Sequence, residues 1–141
     1  MRFAILDTNI WIYLLEGRQE VGGLKRELAE NKTVPLLTPV IFAEVLGWQE
    51  IGAEEEKNIR AYFASLSMLP LDMKHWEQII AWRKEGIKKK MPDLLIAAAA
   101  KKAGYPVLTR NIGDFKSLGI TIENPWQDIP EIEIEEDPDS G

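Results

Sequence analysis

Phe3-Ala4-Ile5-Leu6 is an unbroken apolar run that stops at an acid, Asp7. Strict alternation would mark a strand with one wet face. A continuous run of this length instead fits a strand covered on both faces, as in parallel sheets flanked by helices. That one feature asks the remaining sequence for two things: further short strands, and helices on either side of them.

Both are present in the pattern. Thr8 or Asn9 can cap a helix bearing Ile10, Trp11, Tyr13, Leu14 and Leu15, which ends near Gly17. A second helix is expected over about 23–30, with Leu24 and Leu28 four apart. Residues 34–37 read as a second strand. Thr38-Pro39 is a cap followed by a first-turn proline, opening a helix over 40–50. Residues 53–67 form another helix, with acids 54–56 at its positive end. Met68-Leu69-Pro70-Leu71 reads as an edge strand, because proline cannot donate to a central ladder. Asp72 caps a helix carrying Trp76, Ile79, Ile80, Arg83 and Ile87. Pro92-Asp93 opens one that Gly104 closes. Residues 105–109 and 121–123 supply the last strands. The expected class is α/β, with a largely parallel sheet covered on both sides.

A length of 141 residues suits one domain, assigned to 1–128, with an acidic tail over 129–141. The tail decides how the net charge of −6 is read. From Glu131 onward there are six acids and no base, which leaves seventeen residues of each sign in the body. The body is therefore neutral overall, and its lysines and arginines can form a local basic face. Cysteine is absent, which removes disulfides, cysteine nucleophiles and thiolate zinc sites. His75 is the only histidine and reads as a packing residue rather than a general base. No apolar run of about 18 residues is present. The chain also meets Asp7 before a leader-type region forms, so a cytoplasmic, non-membrane protein is expected.

Catalytic chemistry would then fall to carboxylates. In open parallel sheets, ligands gather beyond the carboxyl ends of the strands. Asp7 ends the first strand; Thr109 and Asn111 end a later one, with Asp114 three residues further on. Asp93 starts the helix before that strand, and Glu44 lies among Phe42, Ala43, Val45 and Leu46. Four such carboxylates brought together repel and need protons or a cation. Oxygen ligands without histidine or cysteine favour Mg²⁺ or Mn²⁺ over zinc.

The segments Leu6-Asp7-Thr8-Asn9, Phe42-Ala43-Glu44-Val45, Pro92-Asp93-Leu94-Leu95-Ile96-Ala97-Ala98 and Leu108-Thr109-Arg110-Asn111-Ile112-Gly113-Asp114-Phe115 resemble, in this order, a PIN-domain ribonuclease. More narrowly, they resemble a VapC-type toxin of a toxin–antitoxin pair. The resemblance covers residues 3 to about 123. It implies a three-layer α/β/α sandwich and metal-dependent endoribonuclease activity. It also implies homodimerisation and a cognate antitoxin that inhibits at the pocket. Asp7, Glu44, Asp93 and Asp114 would be the catalytic, metal-binding acids, with Thr109 and Asn111 in support. The acidic tail is not part of that pattern.

Each residue alone has a plainer explanation. Asp7 and Asp93 could cap or stabilise helix starts. Asn111 and Asp114 fit a turn, and Glu44 could hold a buried salt bridge to an arginine. Lys88, Lys89, Lys90 and Arg110 could contact RNA phosphates or simply solvate helix ends. Trp11, Trp76 and Trp82 suit core or dimer packing. Trp48 and Trp126 give no indication. A non-catalytic RNA-binding or regulatory PIN-like module is the alternative reading. A phosphatase of the haloacid-dehalogenase type would want an acid where Asn9 stands.

Overall fold

The computed structural model describes residues 1–129. Four strands form one all-parallel sheet in the order β2-β1-β3-β4: β1 (Arg2–Leu6), β2 (Thr33–Leu36), β3 (Val107–Leu108) and β4 (Ile122–Glu123). Ala4, Ile5 and Leu6 are fully buried in the central strand, as their unbroken apolar run requires. Each of the larger two contributes about 1.5–3 kcal/mol by leaving water. Helices α1 (Thr8–Leu15), α2 (Gly22–Ala29), α3 (Pro39–Leu46), α4 (Ala53–Ala64), α5 (Met73–Lys84), α6 (Met91–Ala103) and α7 (Ile112–Phe115) cover the sheet, with a 3₁₀ turn at Gln19–Val21. The layers make a three-layer α/β/α sandwich. Among the described residues no helix is long and apolar enough to cross a membrane. The acidic tail and its alternating Glu131-Ile132-Glu133-Ile134-Glu135 segment lie outside the described residues.

Local sequence explains most element ends. Thr38 caps α3, its hydroxyl accepting from the Ile41 N–H at 3.2 Å. The expected helix to residue 50 stops instead at Gly47, where an added Cβ would lie 2.8 Å from the Ala43 carbonyl oxygen. Asp72 and His75 close a reciprocal cap on α5. The imidazole is buried and accepts from the Asp72 N–H through Nδ1 at 3.0 Å, so His75 is a packing and capping residue. Gly104 ends α6 in the left-handed conformation, φ 79°.

Two expected strands are shorter than their apolar runs. The edge strand at 68–71 reduces to one bridge, Leu37 with Met68, because Pro70 offers no N–H to continue the ladder. The strand expected over 105–109 is reduced to β3, since the Tyr105 N–H turns back to the Ala100 carbonyl and Pro106 has no donor. Ladder bonds nevertheless flank β3: Ile5 donates to the Pro106 carbonyl and Thr109 to the Glu123 carbonyl, both at 2.9 Å. Arg2 ties β1 to β4 through Glu123 at 2.6 Å.

The chain enters the sheet at β1, passes outward to β2, then crosses to β3 on the other side. The carboxyl ends of β1 and β3 therefore flank the topological switch point, the crevice where ligands of open α/β sheets gather.

Candidate functional site at the switch point

Asp7 occupies the end of β1 and is itself the cap of α1, in place of the Thr8 or Asn9 expected from sequence. Its backbone N–H donates to the Leu108 carbonyl at 2.9 Å, which fastens it to β3. Asp7 is 6 % exposed, and its carboxylate is held at both oxygens. Oδ1 accepts from the Thr8 N–H at 2.8 Å and Oδ2 from the Thr109 hydroxyl at 3.0 Å. Each oxygen keeps a second lone pair. Thr109 is fully buried, and its Oγ1 also accepts from the Asn111 N–H at 3.0 Å. Asn111 thus supports the site through its backbone as the cap position of α7.

Glu44 projects from α3 and is exposed, contrary to its apolar sequence neighbours. Among the described residues no buried salt bridge holds it; Oε1 accepts from the Thr8 hydroxyl at 2.7 Å. Thr8 is accordingly a site residue that sequence reasoning treated only as a cap. The thread Glu44–Thr8–Asp7–Thr109–Asn111 joins α3, α1, β1, β3 and α7. Asp93 lies half-buried in the first turn of α6, and Asp114 is exposed on α7. A four-residue helix has almost no stability of its own. Its neighbour Phe115, fully buried, fixes α7 and with it Asp114.

The charges feel one another. Burial pushes the Asp7 carboxyl above its usual range. Hydrogen bonds from Thr109 and Thr8 pull it down, and Glu44 and Asp114 push it up again. Burial also raises Asp93; Asp114, Asp7 and Glu44 add repulsion and Lys90 opposes it, leaving the carboxyl at about 6. Among the described residues no lysine or arginine pairs with any of the four acids. Nor do any three acidic or histidine side chains there stand close enough together to cage an ion.

The basic residues separate. Lys88 and Lys90 are exposed, whereas the Lys89 ammonium donates to the Gly113 carbonyl at 2.5 Å, linking the entry of α6 to α7. Arg110 lies over the Trp126 ring, 3.7 Å from its centroid. Trp11 and Trp82 are core residues, and Trp76 is 40 % exposed on α5.

An all-parallel four-stranded sheet between helices, with acids on the elements around its switch point, defines an α/β/α protein of the open-sheet class. The PIN-domain profile matches residues 4–120, and the chain belongs to the PIN-domain family. PIN domains are generally nucleases and typically use divalent metals. A curated relative, the plasmid stability protein StbB of Pseudomonas syringae pv. tomato, is 34 % identical over 76 residues, 51 % of this chain. The match spans 54 % of that relative, about half its length. One chain of a toxin–antitoxin complex from Klebsiella pneumoniae is similar with TM-score 0.68 and 26 % identity, covering 89 % of this chain and 99 % of that one. One chain of DNA-bound VapBC from Salmonella typhimurium shares the fold with TM-score 0.69 at 22 % identity and the same coverage.

Proposed function

We propose that this chain is a divalent-metal-dependent endoribonuclease, the toxin of a VapBC-type pair. The observation that carries the reading is that acids from the end of β1, from α3, from α6 and from α7 act on one centre: Glu44 and Asp114 raise Asp7, and Asp114, Asp7 and Glu44 raise Asp93, while among the described residues no lysine or arginine forms an ion pair with any of the four. Hard oxygen donors with unopposed charge suit Mg²⁺ or Mn²⁺. Asp7, Asp93 and Asp114 would hold the ion, with Glu44 binding directly or through water. The bound cation would neutralise the acids against an incoming phosphate and supply an activated water for phosphodiester hydrolysis.

The chain's own residues set up that chemistry. Thr109 and Thr8 fix the plane of the Asp7 carboxylate, and Thr8 also fixes Glu44, so two acids are oriented by one residue. Asp93, raised to about 6 by burial and the neighbouring acids, would be returned to its ionised form by a bound cation. The partners of this reading are an RNA substrate, a cognate antitoxin and a second copy of the chain. Support for the antitoxin is the fold shared with chains of toxin–antitoxin complexes.

The test is cleavage of labelled RNA with Mn²⁺ and with EDTA, by the unsubstituted chain and by Asp7→Asn. Cleavage that needs metal and Asp7 is expected. The lack of a ready three-acid cage favours the second reading, a non-catalytic RNA-binding or regulatory PIN module. RNA binding without cleavage under any divalent metal would select it.

A further inference from the structure

Three side chains, Tyr13, Arg18 and Arg110, meet around one indole, that of Trp126. Arg110 stacks over Trp126 at 3.7 Å, Arg18 lies 5.5 Å from the same ring, and Tyr13 meets it edge-on at 4.9 Å. Both guanidiniums also lie within 6 Å of the Tyr13 ring, at 5.9 Å for Arg18 and 5.8 Å for Arg110. The indole is held from several directions. Its backbone N–H donates to Asn124, its ring N–H donates to Asp128, and the adjacent Gln127 N–H donates to the Glu20 carbonyl.

A simple clasp accounts for part of this. One arginine on Trp126 would anchor residues 124–129 against α1, contributing about 0.5–1 kcal/mol at an exposed site. It does not account for a second arginine beside the same rings, since two like charges repel there. Arg18 pairs with Glu20 at 4.0 Å, and Asp128 accepts from the indole N–H at 3.0 Å, whereas Arg110 has no carboxylate partner among the described residues and is left unexplained by the clasp. Both arginines are exposed. Stacking on aromatics fixes a guanidinium in one plane while leaving its five N–H donors free for an anion, and its outer face can receive a flat ring.

Position supplies the rest. Arg110 directly follows Thr109, whose hydroxyl holds Asp7. Its Cα is therefore about 3.8 Å from the Thr109 Cα, one residue past the hydroxyl that holds the Asp7 carboxylate.

We propose that Arg110, Trp126, Tyr13 and Arg18 form a docking platform for one nucleotide of single-stranded RNA flanking the scissile phosphate, with a base against the guanidinium–indole stack and its phosphate on the arginines. The proposal rests on the nuclease reading above and names residues outside the acid site that would receive its substrate. Only an unpaired base can enter such a stack, so the platform selects single strands over duplex.

Binding is measured in EDTA, where it is read separately from cleavage. The probe is a fluorescent single-stranded RNA of mixed sequence, about 12 nucleotides long, and polarisation is followed against salt. Arg110→Gln is expected to weaken binding about tenfold and flatten the log–log salt slope by about one. Arg110→Lys, which keeps the charge and loses the planar stack, falls between Arg110→Gln and the unsubstituted chain. Arg18→Gln, outside the closest stack, weakens binding about threefold and guards against Arg110→Gln simply releasing the clasp. Unchanged melting of each variant shows that the fold is kept.

Full-strength RNA binding by both glutamine variants would overturn the platform, and so would no saturable binding by the unsubstituted chain. A duplex of the same sequence binding as tightly, or a poly-glutamate peptide displacing RNA at equal charge concentration, would overturn it as well. If the substituted chains bind normally while the unsubstituted chain cleaves with Mn²⁺, the platform falls and the nuclease reading stands. Weakened binding by the variants without cleavage under any metal supports the platform and removes the nuclease reading.

Discussion

Replacing Asp93 by Asn should stabilise the metal-free protein, and only on the alkaline side of its titration. Burial and three neighbouring acids carry this carboxyl from 3.8 to about 6. Ionising it in the fold therefore costs at most about 3 kcal/mol, at 1.36 kcal/mol for each tenfold change in the ionisation constant. Asp93 is half-buried, so water and salt reduce the cost to about 1 kcal/mol. The folded pKa is raised, so the native state binds more protons than the unfolded chain between about 4 and 6. Stability is fully present below that window, falls through it, and stays lowered above it.

Asn carries no such charge. Asp93→Asn should therefore raise Tm by about 3 °C near pH 8 in EDTA and change it little near pH 4. Urea melts at both pH values would give the difference directly, and added salt should shrink it. An equal shift at both ends would trace the effect to packing. A loss of stability near pH 8 would show that the helix dipole of α6 outweighs the repulsion, and the electrostatic account of the cluster would fail.

Other substitutions probe separate supports. Asp7→Asn should abolish metal-dependent RNA cleavage while circular dichroism and melting stay native-like. Thr109→Val removes the hydroxyl that lowers the Asp7 carboxyl, so Mn²⁺ affinity by calorimetry should fall about 10–100-fold, with the deficit largest at acid pH. Phe115→Ala should cost about 3–5 kcal/mol in urea unfolding, because α7 has little else to hold it. His75→Ala should cost about 1 kcal/mol through the lost cap and leave cleavage per folded molecule unchanged.

Much of the architecture was readable from residue type because each signal had one physical meaning. The run before Asp7 needed two covered faces, and Thr38-Pro39 and Gly104 could only bound helices. Readings went astray where a side chain's direction mattered. Glu44 has apolar neighbours on both sides, yet α3 fully buries only Ile41 and Val45, a stripe too narrow to reach it. Asp7, Thr8 and Asn9 were all readable as the cap of α1, and residue order alone did not choose Asp7, which the fold does. Trp126 gave no sequence signal, because its partners Tyr13, Arg18 and Arg110 are neighbours only after folding. Lys89 and Lys90 adjoin in sequence and act differently, one on a carbonyl of the α7 segment and one as a nearby charge on Asp93.

The bond between Asp7 and Thr109 closes a separation of 102 residues. During synthesis the first carboxylate leaves the ribosome early and waits for its orienting hydroxyl until most of the polypeptide has been made. A product that ends between residues 94 and 106 carries Asp7, Glu44 and Asp93 but lacks β3, the Thr109 hydroxyl and the fourth acid. Interrupted translation of this message therefore yields fragments with an unassembled centre, and competence arrives late, with the final quarter of the chain.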